Sequence, residues 1–425
     1  MSNTHVTAHP SAADIESPYA WLRLVTSLAL MTIGGSGMYS VSLVLPRIQA
    51  EFGIARADAS LPYTLTMIGF GLGGIMMGRL ADRFGVVLPV ALGAVGLGAG
   101  FITAGLAPNI WLFGAAQGVL IGLLGTSATF APLVADTSQW FARRRGIALA
   151  ICMSGNYVAG ALWPPVMQYF IERAGWRSTY VGMGLFCLAT ILPLAVLLRR
   201  RPPSHGVTGV AAGGTHLIER ERPMGLRPPA AIVLLSLAGV SCCVAMSMPQ
   251  VHIVAYSGDL GIGPARGAQM LSLMLGLGIV SRLASGWISD RIGGLRTLLL
   301  GSTLQTVALT LFLPFKGVVS LYVVSGLFGL FQGGIVPSYA LIVREHFSPA
   351  QAGARMGTVL MATLFGMALG GWLSGAVFDW TGSYRAAFIN GIGWNLLNLS
   401  IAGFLLFRVA VQARSRARGR YSPQT

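Results

Sequence analysis

The chain has 425 residues, 54% of them hydrophobic and only 10% charged, with a mean hydropathy of +0.69. Soluble domains carry about 25% charged residues, so water is excluded as the main solvent of this chain. A formal net charge of +16 would point to nucleic acid in a soluble protein, and its meaning here depends on where the cations stand.

The first 18 residues are polar, contain Pro10 and Pro18, and lack the basic region and cleavage site of a secretory signal, so residues 1–19 read as a disordered cytoplasmic lead-in. Apolar runs follow at 20–45, 59–78, 86–107, 110–135, 145–171 and 175–198. Each is about the 20 residues needed to cross a ~30 Å hydrocarbon core. Residues 199–228 then combine Arg199-Arg200-Arg201-Pro202-Pro203, a Gly/Ala stretch and Glu219-Arg220-Glu221-Arg222, the composition of a solvated linker. Six further runs occupy 229–256, 264–286, 295–314, 317–342, 350–376 and 386–408, and residues 409–425 form a basic tail. Lipid offers the backbone no hydrogen bonds, and the runs are solid rather than alternating, so each is expected to be a helix and not a barrel strand. The expected fold class is an all-α integral membrane protein with twelve transmembrane helices, six in 20–198 and six in 229–408.

The two sets repeat at an offset of 208 residues. Gly78-Arg79-Leu80-Ala81-Asp82-Arg83-Phe84-Gly85 returns as Gly286-Trp287-Ile288-Ser289-Asp290-Arg291-Ile292-Gly293, and Glu51-Phe52-Gly53-Ile54 falls on Asp259-Leu260-Gly261-Ile262. Gly118 and Gly125 fall on Gly326 and Gly333, and Arg177 falls on Arg385. One half is written twice, the layout in which many secondary transporters hold substrate between their halves. With the amino end inside, 21 of the 29 cations fall in cytoplasmic segments and seven in outer ones. By the positive-inside rule both termini lie in the cytoplasm of a cell (plasma or inner) membrane, and the basic balance needs no nucleic acid. The basic tail is read as setting orientation or touching anionic lipid. Cys152, Cys187, Cys242 and Cys243 lie within predicted helices without metal-ligand spacing and read as packing residues.

The doubled Gly-x-x-x-Asp-Arg-x-Gly signature in a twelve-helix duplicated layout resembles the major facilitator superfamily over residues 20–408. The first copy departs from the usual pattern, with Val86 and Val87 where further basic residues are common. The resemblance implies that Asp82, Arg83, Asp290 and Arg291 help hold one access state closed, the aspartate pairing across the halves. Simple topology-fixing loop charges would look the same. Trp140-Phe141 before Arg143-Arg144-Arg145-Gly146, Pro249-Gln250-Val251-His252 leading to Asp259-Leu260-Gly261, and an arginine within the eighth helix resemble the monocarboxylate porter and oxalate/formate antiporter group.

Arg282 is the strongest candidate for a substrate contact. It stands eight residues before Asp290, about 12 Å inside the membrane, where a charge costs at least ~2.5–3.5 kcal/mol. All thirteen acidic residues fall in loops, tails or helix ends, with Asp136 the nearest. A carboxylate substrate would complete such a cation, since guanidinium binds carboxylate through two parallel hydrogen bonds. The resemblance implies the same, because an arginine of helix eight holds the substrate carboxylate in the resembling group. A structural arginine bonded to unwound carbonyls, or one snorkelling towards the cytoplasm, is the alternative. The offset places Gly74 opposite Arg282, so the site is expected to lean on the second half. The oxalate-transporting relatives also carry a lysine in helix eleven, whereas the only lysine here is Lys316 in a loop. One buried cation favours a monoanion over a dicarboxylate.

His252 is the one histidine inside a span; the register of Pro249-Gln250-Val251-His252 suits a lining position, so it is a candidate both for contacting substrate and for carrying a proton, although a neutral ring bonded to a carbonyl fits equally. In the superfamily helices one, four, seven and ten usually line the cavity. Weaker candidate contacts are Tyr39, Gln117, Gln332 and Tyr339 in helices one, four and ten, with Asn156 and Tyr157 in helix five; each could equally be interhelical glue. The expected function is a secondary transporter moving a small lactate- or pyruvate-like monocarboxylate, with a proton as possible companion and the monomer as working unit. Efflux of aromatic acids or amphipathic drugs, and carboxylate antiport, are the alternatives within transport. No phosphate-binding loop supports ATP-driven pumping, and no cluster at one depth supports a membrane enzyme, a resident cofactor or a metal. A receptor that binds without moving substrate stays open.

Overall fold

The structure, a computed structural model, describes residues 16–141, 143–200, 223–347 and 349–419. Most of the lead-in, residues 201–222 of the expected linker, and the last six residues therefore lie outside the described residues. The described chain forms twelve long helices: α1 Pro18–Phe52, α2 Arg56–Phe84, α3 Val87–Gly105, α4 Ile110–Trp140, α5 Arg145–Ala174 and α6 Trp176–Val196, then α7 Pro228–Asp259, α8 Pro264–Ile292, α9 Gly294–Leu311, α10 Val318–His346, α11 Pro349–Thr381 and α12 Tyr384–Gly419. Eleven are long and apolar enough to cross a membrane on those grounds alone. The twelfth, α9, is shorter and diluted by Arg296, Gln305 and four threonines. The chain is a multi-pass membrane protein of two six-helix halves, α1–α6 and α7–α12. Twelve crossings place both ends of the described chain on one face, called here the termini face; the opposite one is the far face.

Helix ends follow the repeat. Gly53 and Gly261 (φ 62° and 72°) end α1 and the α7 turn at the far face, and Gly85 and Gly293 (both φ 83°) follow α2 and α8 at the termini face. A side chain at these angles would be strained, so the glycines recur where the turn recurs. Three helices are irregular. α1 breaks at Gly34–Gly35, α10 breaks at Gly333–Gly334, and α4 widens into a π-helical stretch, Ala116–Thr126. A Cβ on Gly34 would strike Thr129 of α4, and one on Gly334 would strike Ser285 of α8, so these breaks sit where backbones approach closely. α5 runs unbroken through Pro164 and Pro165, and α12 extends well into the expected tail.

Large apolar side chains such as Trp111 (72% exposed) and Trp380 (80%) point outward, as lipid-facing residues do. The two halves meet along α2 with α11, α5 with α8, and α1 with α7. That seam positions everything below.

Candidate functional site

Arg282 is ten residues from the end of α8 at Ile292, about 15 Å deep and so near the middle of the membrane. Its guanidinium lies over the Tyr157 ring of α5, 4.4 Å from the centroid. Its Nε donates to the Gly333 carbonyl at 3.5 Å, a long bond made at the α10 break. Tyr157 can lie there because position 278, one turn before Arg282 on the same face of α8, is glycine: a Cβ would stand 2.5 Å from Tyr157 Cε1. Among the described residues Arg282 has no ion-pair partner and neither Nη group is bonded. The half-buried cation is thus oriented from below and from one edge, with its end-on pair of donors open. A carboxylate is the complementary group for such a pair.

Tyr39 shares this neighbourhood, and Asn156, next to Tyr157 in α5, faces Gly35 and Met38 of α1. Tyr39 packs against Gly160 of α5, where a Cβ would be 2.9 Å from the phenol ring, and lies within electrostatic reach of Tyr157 and Arg282. The Asn156 amide has only the Met38 sulfur, 3.7 Å away, a weak acceptor. Gln332 adjoins Gly333; its Oε1 accepts from Gln250 of α7 at 2.9 Å, and its buried Nε2 has no partner among the described residues. In the sequence Gln250 stands out only as part of Pro249-Gln250-Val251-His252 and not as a contact, since one glutamine in an apolar run does not disclose which face it occupies.

Three candidates stand elsewhere. Gln117 is buried in the first half between Thr66 and Tyr180, each 3.3 Å away. Tyr339 is buried in the second half, its hydroxyl 2.8 Å from Asn398 Oδ1. His252 is fully buried at the far-face end of the seam, its Nδ1 3.1 Å from the Tyr384 hydroxyl and its Nε2 2.8 Å from the Gly371 carbonyl. A carbonyl only accepts, so Nε2 donates and Nδ1 accepts from Tyr384 in a neutral ring.

That ring belongs to a cluster joining the halves at the far face. Arg56, the first residue of α2, forms an ion pair with Asp259 at the end of α7, its Nη2 3.3 Å from Oδ1, and donates to the Tyr384 hydroxyl at 3.0 Å and to Gln49 at 3.0 Å. Its guanidinium lies 4.2 Å over the Phe378 ring. α2 has no side-chain cap of its own. Asp379 of α11 supplies one from the other half, accepting from the Arg56 and Ala57 amides at 3.0 and 2.7 Å. Thr64 donates to the Ala368 carbonyl at 2.8 Å further down the same seam. Among the described residues, hydrogen bonds between the halves thus gather towards the far face and hold it shut.

At the termini face the signature residues form no ion pair among the described residues. Asp82 and Asp290 are exposed and, among the described residues, neither has an ion-pair partner. Arg83 lies over Phe84 and Arg291 over Trp287. Asp82 and Arg83 line a cleft of about 350 Å³ with Pro132, Asp136 and Gln139. Asp136, the acid expected from the sequence to be the nearest candidate partner of Arg282, is taken: Arg23 of α1 grips it with two bonds of 2.8 and 2.7 Å, both side chains almost fully buried, while Nη1 of Arg23 donates to the Leu198 carbonyl.

The Major Facilitator Superfamily profile matches residues 25–320 and 283–422 of the chain. Monocarboxylate transporter 13 of Bos taurus is 28% identical over 312 residues, covering 73% of this chain and 71% of its own length. The uncharacterized MFS-type transporter YcxA of Bacillus subtilis (strain 168) is 28% identical over 354 residues, covering 80% and 84%. Among solved structures, a bacterial homolog of the human lysosomal transporter Spinster superposes with a TM-score of 0.68 at 15% identity, over 96% of this chain and 99% of that one. The peptide transporter POT, in complex with alafosfalin, gives 0.70 at 14% identity over 92% and 94%. At these identities the two structures show the fold alone.

Proposed function

The chain belongs to the Major Facilitator Superfamily and is a membrane transporter rather than an enzyme, and we propose that it carries a small organic monocarboxylate, lactate- or pyruvate-like, by alternating access. The observation carrying this reading is Arg282: a cation near mid-membrane with, among the described residues, two unbonded Nη groups and no acid of its own. A carboxylate bound end-on to Nη1 and Nη2 would cancel the charge, with Tyr157 beneath the guanidinium and Tyr39 and Asn156 beside it as hydrogen-bond donors. A dicarboxylate would bring a second charge into the membrane with no second cation to meet it, so the monoanion is preferred. The relatives named monocarboxylate transporters support the class of cargo.

With both termini in the cytoplasm, as the distribution of arginines favours, the shut far face is the outer one and this is an inward-facing state. Transport then alternates between this arrangement and one in which the Arg56 cluster parts while Asp82 draws the cytoplasmic ends together. Gln117 and Tyr339 act as ties within their own halves, and His252 as a strut of the outer closure, which leaves the substrate's charge to Arg282. A thermal-shift screen on purified protein tests the cargo: small monocarboxylates should stabilise it, and their neutral amide analogues should not. Stabilisation by amides and carboxylates alike would refute a charge-reading site.

A further inference from the structure

At the far face the first half contains a closed triad. Glu51, at the end of α1, accepts from Trp176 Nε1 at 2.6 Å and from Arg177 Nε and Nη2 at 2.9 and 2.7 Å, tying α1 to the start of α6. The 208-residue offset carries Glu51, Trp176 and Arg177 onto Asp259, Tyr384 and Arg385. The second half therefore holds the same parts in the same places: an acid ending α7, then an aromatic donor and an arginine opening α12.

Those parts are not joined to each other. Asp259 is bonded to Arg56 of the other half, and the Tyr384 hydroxyl accepts from Arg56 while facing His252. Arg385 is exposed and, among the described residues, its side chain has no ion-pair partner. Position 264, the repeat-mate of Arg56, is Pro264, so the second half offers no arginine there to compete with Arg177 for Glu51. The asymmetry is confined to the acid that bridges the seam.

We propose that Asp259 exchanges partners, held by Arg56 while the far face is shut and by Arg385 once it opens, when the second half takes up the arrangement already closed in the first. Opening then replaces one ion pair by another instead of leaving a carboxylate with water alone, which narrows the gap between the two states. The inference rests on the alternating-access part of the proposed function and is independent of the cargo.

The test uses the full chain in lipid nanodiscs without substrate. Spin labels are attached through Pro108→Cys and Lys316→Cys, exposed far-face loop positions, the four native cysteines being buried. Pulsed dipolar spectroscopy then reads the populations of short and long far-face distances. Arg56→Gln is expected to raise the long-distance population. Adding Arg385→Gln in that background should lower the open-to-shut ratio about two- to five-fold, the range for an exposed ion pair, and Arg385→Lys should preserve it. In an Asp259→Asn background, Arg385→Gln should change nothing. The exchange is overturned if Arg56→Gln opens the far face with no response to Arg385→Gln, or if Arg385→Lys behaves as Arg385→Gln does. A far-face distance unmoved by Arg56→Gln would overturn the gate itself and the alternating-access reading with it.

Discussion

Replacing Gly278 by alanine asks whether Tyr157 places Arg282. The new methyl would stand 2.5 Å from Tyr157 Cε1 and 2.7 Å from Cδ1, against an ordinary carbon contact of about 3.5 Å, so the ring must move by about 1 Å. The ring carries the Arg282 guanidinium 4.4 Å above it. Spoiling a partly solvated cation–π contact costs about 1 kcal/mol, and that is about a five-fold rise in KM for a substrate bound by the cation. Alanine is a better helix former than glycine by about 1 kcal/mol, so α8 should not be weakened by the change itself. The assay is the initial rate of labelled lactate or pyruvate uptake into proteoliposomes over a range of concentrations. Tyr157→Leu should raise KM similarly, and adding Gly278→Ala to it should bring no further loss, because the clash and the ring disappear together. An unchanged KM in Gly278→Ala, or two effects that simply multiply, would refute the placement.

Two further outcomes concern stability. Gly333→Ala would drive a methyl into the Gly278 carbonyl, a backbone atom that cannot swing aside, so thermal unfolding should show a loss of about 1–3 kcal/mol from overpacking. Arg23→Ala leaves Asp136 charged and buried and should cost about 3–5 kcal/mol, whereas Arg23→Leu with Asp136→Leu should cost far less; equal losses in the two would contradict a desolvated pair.

The scaffold was legible because lipid restricts backbone structure so severely: solid apolar runs of the right length could only be helices, and a 208-residue offset could only be a duplicated half. α9 is the instructive exception, a genuine member of the repeat whose threonines, Arg296 and Gln305 keep it below the hydropathy that marks the other eleven. Arg282 was legible for a related reason, since a charge at mid-depth, with every acid of the sequence in a loop, a tail or a helix end, stays conspicuous in the structure.

Facing direction was not legible. Gln117, Tyr339 and Gln332 are all single polar residues in apolar helices, and only packing reveals that the first two are satisfied inside their own halves while the third abuts the α10 break beside Arg282. The far-face closure was missed because its partners are remote in sequence and escape the repeat. Register alone would give Asp259 to Arg385 as it gives Glu51 to Arg177, but Arg56 claims it across 203 residues. His252 was read as a cavity residue for the same reason, and the structure places it behind Tyr384 in that closure.

The central claim, that Arg282 holds the cargo's carboxylate, is tested most directly by uptake of labelled lactate and pyruvate into proteoliposomes containing wild type, Arg282→Lys or Arg282→Ala. Arg282→Ala is expected to abolish uptake while the protein remains folded, and Arg282→Lys, a point charge without the paired donors, to retain only a small fraction of it. Carboxylate uptake by Arg282→Ala with wild-type KM and rate would contradict the account.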